Sequence, residues 1–126
     1  MIAVDTSALI AILLDETESA RCLAVLDRVD DLCIAAPTVT EAMIVALRRS
    51  VSSRLDDLFD RLDAEVVPLT PARARAAGRA YDRYGKSFHA ASLNYGDCFS
   101  YALAKERDCP LLFVGNDFAL TDVIPA

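Results

Sequence analysis

Short apolar runs that lead into an acidic residue recur along this chain, and they constrain its fold more than any other feature. Ile2-Ala3-Val4 runs into Asp5. The run 32–35 is followed by Pro37-Thr38-Val39-Thr40-Glu41, and the run 111–114 passes through Gly115-Asn116 to Asp117. Asp97 opens a helical segment after Asn94-Tyr95-Gly96, with no strand directly before it. Apolar runs of this length suit buried strands, and the intervals between them carry helical spacing. Strands alternating with helices imply right-handed crossovers and a mainly parallel sheet covered on both faces. The expected fold is therefore a three-layer α/β/α sandwich with four to five strands, formed by residues 1–126 as one domain.

The element boundaries follow from periodicity and end signals. Strands are expected at 1–4, 32–35, 65–69 and 111–114, with a short last one at 122–124. Helices are expected at 6–14, 17–29, 38–49, 53–62, 70–84 and 95–107. Thr70 is a natural N-cap with Pro71 in the first helical position, and Gly85 is a natural stop. Residues 86–93 read as irregular or a short helix.

In an open parallel sheet the carboxyl ends of the strands share one edge, where ligands bind. Asp5, Glu41, Asp97 and Asp117 are all expected there. Each also has a local explanation. Asp5 fits an N-cap. Thr38-Val39-Thr40-Glu41 fits a capping box. Asp97 suits the positive end of a helix dipole, and Asn116-Asp117 suits a turn. Caps that follow strands lie on the same edge, so the two readings are compatible. Gathered carboxylates repel one another unless a cation offsets their charge, and an all-oxygen donor set suits magnesium or manganese.

Composition narrows the alternatives. A hydrophobic content of 54% excludes a disordered chain. No apolar run reaches the roughly 18–20 residues of a membrane helix. No basic leader with a cleavage site precedes Asp5, so a cytoplasmic location is expected. Cys22, Cys33, Cys98 and Cys109 form no C-x-x-C pair, and His89 is the single histidine, which argues against zinc. Small buried thiols are expected instead. The net charge of -6 disfavours nonspecific nucleic-acid binding through charge alone. The segment 71–90 nevertheless sets Arg73, Arg75, Arg79, Arg83 and Lys86 against the single acid Asp82.

At this point the residues carry a resemblance. Val4-Asp5-Thr6-Ser7-Ala8-Leu9, Thr40-Glu41, Leu93-Asn94-Tyr95-Gly96-Asp97-Cys98-Phe99-Ser100-Tyr101-Ala102-Leu103-Ala104 and Pro110-Leu111-Leu112-Phe113-Val114-Gly115-Asn116-Asp117-Phe118, in register, resemble the PIN-domain ribonucleases. Within that group the chain is most similar to the VapC toxins of bacterial toxin–antitoxin pairs. The resemblance implies magnesium- or manganese-dependent RNA cleavage, a VapB-like antitoxin and a homodimer. By position it implies Asp5 and Asp97 as principal metal ligands, with Glu41 completing the cluster. Asp117 matches the fourth acid. Relatives often place a Thr or Ser shortly before that acid, where this chain has Val114-Gly115-Asn116, so Asp122 stands as its alternative. Ser7 matches a small hydroxyl residue beside the first acid that contacts a ligand or bound water. His89 is left outside the site.

Arg75, Arg79 and Arg83 recur at helical spacing, and Lys86 extends their face. Such a strip is either a solvated surface or a track for RNA phosphates. Tyr81, Tyr84, Phe88, Tyr95, Phe99 and Tyr101 are expected in the core or at interfaces rather than stacked on bases. The helices within 6–29 and 38–62 are candidates for a groove that receives the antitoxin or a second copy. A phosphoacceptor receiver domain would want adjacent acids after the first strand and a lysine after the last. An aspartate phosphatase would want a second Asp where Ser7 stands. The remaining alternative is a PIN-like interaction module that binds protein or RNA without cutting.

Overall fold

The computed structural model describes Met1–Ala126. Ten elements alternate along the chain: β1 (Ile2–Val4), α1 (Thr6–Leu13), α2 (Ser19–Leu26), β2 (Leu32–Ala35), α3 (Ala36–Arg48), α4 (Ser52–Leu62), β3 (Glu65–Val67), α5 (Pro71–Tyr84), α6 (Tyr95–Glu106) and β4 (Leu111–Leu112). The four strands form one sheet in the order β3-β2-β1-β4. Every pairing is parallel, with Ala3 opposite both Cys33 and Leu111. The expected last strand is reduced to a single parallel bridge between Leu111 and Pro125.

The three layers follow from side-chain alternation along the strands. Ile2, Val4, Leu32, Ile34 and Leu112 point to one face and pack under α1, α2, α3 and α4. Ala3, Cys33, Ala35, Val67 and Leu111 point to the other and pack under α5 and α6. Strands buried on both faces are apolar at every position, which is why these runs do not alternate with polar residues. The four cysteines are buried free thiols. No helix is long and apolar enough to cross a membrane.

One boundary differs from expectation in a way that matters for function. α3 begins at Ala36, with Ala35 as a cap residue that makes no side-chain bond and Pro37 inside the first turn. Proline is tolerated there because its missing N–H has no intrahelical partner to lose. The early start moves Glu41 into the second turn, out of reach of the helix end, so the capping box expected from Thr38 and Glu41 does not form. The Thr38 hydroxyl instead pairs with Ser100 Oγ at 3.2 Å, in a buried contact between α3 and α6. At α5 the expectation holds: the Thr70 hydroxyl accepts from the Arg73 N–H at 3.2 Å, and Pro71 opens the helix.

Candidate acidic active site

Parallel topology brings the end of β1, the end of β4 and the start of α6 to one edge of the sheet. Asp5 follows β1 and is 4% exposed. As N-cap of α1 it accepts from the Ser7 backbone N–H at 3.0 Å and from the Ser7 hydroxyl at 2.6 Å, both through Oδ2. Ser7 Oγ in turn accepts from the Val114 N–H at 3.0 Å. The hydroxyl expected to meet a ligand therefore ties Asp5 to the segment that follows β4.

Asp97 lies in the first turn of α6 and is 8% exposed. Asn94 and Asp97 form a reciprocal capping box. Asp97 Oδ2 accepts from the Asn94 N–H and Asn94 Oδ1 accepts from the Asp97 N–H, both at 2.9 Å. The second oxygen of each aspartate has no protein partner, and no buried side-chain oxygen is left unsatisfied. Those two oxygens consequently reach solvent.

Glu41 and Asp117 complete the group without protein hydrogen bonds. Glu41 approaches from α3 and lies against Gly96, where a β-carbon would collide with Glu41 Oε2. Glycine is required at that position for this close approach. Asp117 is exposed in the loop after β4. Gly115, at φ +101°, makes the turn that delivers it in a conformation other residues rarely adopt.

Asp97 is near enough to the other three acids to feel their charge. Burial, more than any other cause, pushes the Asp97 carboxyl up to about 7, against the opposing Asn94 N–H. The negative charges of Asp5, Asp117 and Glu41 raise it further. Asp122, the alternative for the fourth acid, is absent from that set. It accepts from the Tyr101 hydroxyl at 2.7 Å and pairs with Lys105 at 3.2 Å and Arg83 at 3.6 Å. The Tyr101 hydrogen bond chiefly holds its carboxyl below the ordinary range.

The acids share a field rather than a ready-made cage. No three carboxylate, thiol or imidazole groups stand close enough to chelate one ion directly, which differs from the expected three-ligand set of Asp5, Asp97 and Glu41. The donor set still fits magnesium, which keeps several waters and is held by one or two carboxylates. Asp5 and Asp97 each offer one committed and one free oxygen, the arrangement by which supporting bonds orient a metal ligand.

Of the basic strip, Arg83 is engaged with Asp122 and lies 4.8 Å from the Tyr84 ring centre. Arg79 and Lys86 are exposed and make no ion pair. Arg79→Glu should therefore flatten the dependence of RNA binding on salt, by about one ion in the log–log slope. A slope that does not move identifies the strip as solvated surface. His89 accepts from the Ala91 N–H at 2.9 Å and packs edge-on against Tyr84, outside the acidic site. Sequence reasoning missed Asn94, Gly96 and the Thr38–Ser100 pair as supports. The spacing Asn94-x-x-Asp97 carried the first of them.

Comparison with known proteins places this arrangement. The PIN domain model matches residues 2–124. The chain is 46% identical over 124 residues to Ribonuclease VapC28 of Mycobacterium tuberculosis, covering 95% of this chain and 93% of that protein. It is 44% identical over 123 residues to Ribonuclease VapC of Mycolicibacterium smegmatis, covering 95% of each. Among solved structures it is similar in fold to Mycobacterium tuberculosis VapC20, described as a sarcin-ricin loop cleaving toxin. That match has a TM-score of 0.82 at 14% identity, covering 100% of this chain and 98% of that one. A toxin–antitoxin complex from Klebsiella pneumoniae matches with a TM-score of 0.77 at 17% identity, covering 100% and 97% of the two chains.

Proposed function

The chain belongs to the VapC ribonucleases of the PIN-domain family, and from that premise we propose that it hydrolyses RNA phosphodiester bonds as the toxin of a toxin–antitoxin pair, with Asp5, Glu41, Asp97 and Asp117 as its catalytic acids. The observation that carries this reading is Asp97 itself: a buried carboxyl at a helix start, raised to about 7, that feels acids from three other segments. A structural cap has no need of that company.

The free oxygens of Asp5 and Asp97 would hold a divalent cation, magnesium or manganese. Such an ion lowers the pKa of a bound water and offsets charge developing on the scissile phosphate. The chain's own groups do the positioning. Ser7 and Asn94 fix the rotamers of the two aspartates. Glu41, uncommitted and set against Gly96, is free to orient the attacking water and accept its proton at Oε2. Asp117 stands at the exposed rim, where it adds negative charge that favours the cation. No thiol or imidazole is needed.

A VapB-like antitoxin is the partner this function implies, and a homodimer is proposed with it. Met43, Ile44 and Leu47 are exposed on α3 and form an apolar stripe of the kind that protein partners cover.

The direct test is incubation with total RNA. Cleavage is expected with magnesium or manganese, none with chelator, and recovery on adding the ion back. Failure to cut RNA under any divalent ion overturns the reading. A thermal readout accompanies it. Magnesium should raise the melting temperature more at pH 8 than at pH 5.5, because protons compete for Asp97 at the lower pH.

A further inference from the structure

Beside the acids, on the α5–α6 side of the sheet, lies a half-open apolar groove of about 510 Å³. Gly78 and Tyr81 of α5, Lys86, and Asn94, Tyr95 and Phe99 around the start of α6 line it. Tyr95 was expected in the core or an interface. It lies outside the core, 77% exposed, and is held edge-on by Phe99 with ring centres 5.0 Å apart. Phe88, 66% exposed, is braced in the same way on Tyr81 at 5.8 Å. Resting on the ribonuclease reading, we propose that this groove receives a nucleobase of single-stranded RNA flanking the scissile phosphate, with Tyr95 as the stacking platform and Lys86 on the phosphate backbone.

Three observations carry the assignment. The groove adjoins the acidic site at Asn94, which lines its wall and whose N–H also bonds Asp97. Tyr95 and Asp97 stand two residues apart in the first turn of α6, so the groove and the acid share one helix end. Gly78 provides the second observation. It sits inside α5 with nothing within 4 Å of where its β-carbon would be. Glycine weakens a helix interior relative to alanine, and no packing constraint requires it here. What its missing side chain does is keep the groove open.

Charge provides the third. Lys86 makes no ion pair, and its carbonyl is tied down by the Tyr81 hydroxyl at 3.0 Å. A second copy of this acidic chain would bury that lysine beside apolar side chains, and lysine is depleted from the centres of protein interfaces. Single-stranded RNA offers flat apolar faces and a phosphate chain together, which is the combination the groove presents surfaces for.

The test uses a short single-stranded RNA spanning a mapped cleavage site, with 2-aminopurine beside the scissile bond and chelator present to stop turnover. Binding to the wild-type chain and to Tyr95→Phe should quench the fluorophore, and binding to Tyr95→Ala should not. Tyr95→Ala should weaken binding about tenfold, with no further loss on the same RNA made abasic at that nucleotide. Gly78→Leu should weaken binding similarly without lowering the melting temperature. Equal losses on intact and abasic RNA, or quenching that survives Tyr95→Ala, overturn the proposal. So does a change of oligomeric state in either variant with RNA affinity unchanged, which assigns the groove to a second copy. These results leave the ribonuclease reading standing as long as the wild-type chain cuts RNA, and only its failure to do so removes that reading.

Discussion

Asp97→Asn is expected to lower RNA cleavage by about 10³-fold or more while making the metal-free chain more stable. The two effects have one origin. Asparagine keeps the shape of aspartate and can still accept the Asn94 N–H through its side-chain oxygen, so the capping box survives. What disappears is the charge. A metal ligand contributes several kcal/mol of transition-state charge stabilisation, and each 1.4 kcal/mol is tenfold in rate. Stability moves the other way. The folded carboxyl keeps its proton up to about 7, whereas an unfolded one gives it up near 4. Between those values the folded chain binds more protons, so stability falls as pH rises across the window and the full deficit stands above pH 7. Its size is on the order of a few kcal/mol. Melting the chelated wild-type chain at pH 5 and pH 8 should show the lower value at pH 8, and Asp97→Asn should close most of that gap. Full cleavage by this variant sinks the assignment of the site.

Much of this was legible because the information is local. Strands 2–4, 32–35 and 111–112 are continuous apolar runs, and a buried parallel strand leaves that signature whatever surrounds it. Thr70-Pro71 and Asn94-x-x-Asp97 carry their caps within one turn. Asp5 and Asp117 were legible through topology: once strands and helices alternate, strand ends converge without any knowledge of side-chain packing. Misreadings arose where a short motif had two local solutions. Thr38-Val39-Thr40-Glu41 has the form of a capping box, and Pro37 equally permits the earlier start that the helix takes. The choice falls to tertiary contact, because Thr38 finds Ser100 on α6. Asp117 and Asp122 are near neighbours in one loop and indistinguishable by type. They separate because Tyr101, Lys105 and Arg83, brought up by α5 and α6, neutralise Asp122 alone. The exposure of Tyr95 was hard to foresee for a related reason. Aromatic residues are usually buried in proportion to their size, and only the packed helices show that α5 leaves its ring uncovered.

Gly96→Ala is expected to cost about as much activity as Glu41→Ala, on the order of 10²-fold in kcat, although it removes no functional group. The added methyl would occupy the space of Glu41 Oε2. The obstacle is the far end of a flexible side chain rather than backbone, so the carboxylate swings aside and the helix stays put. Alanine also favours the helix over glycine, so the melting temperature should hold or rise, which separates this effect from misfolding. If Gly96 acts only by admitting Glu41, the double variant should be no slower than either single one, because both remove the same contribution. Losses that multiply would mean that Gly96 serves something other than Glu41. Unchanged cleavage by Gly96→Ala would show that the carboxylate of Glu41 does its work from a different rotamer, or none at all. The cycle thus asks of Glu41, which no hydrogen bond holds, whether its place is set by the helix it faces.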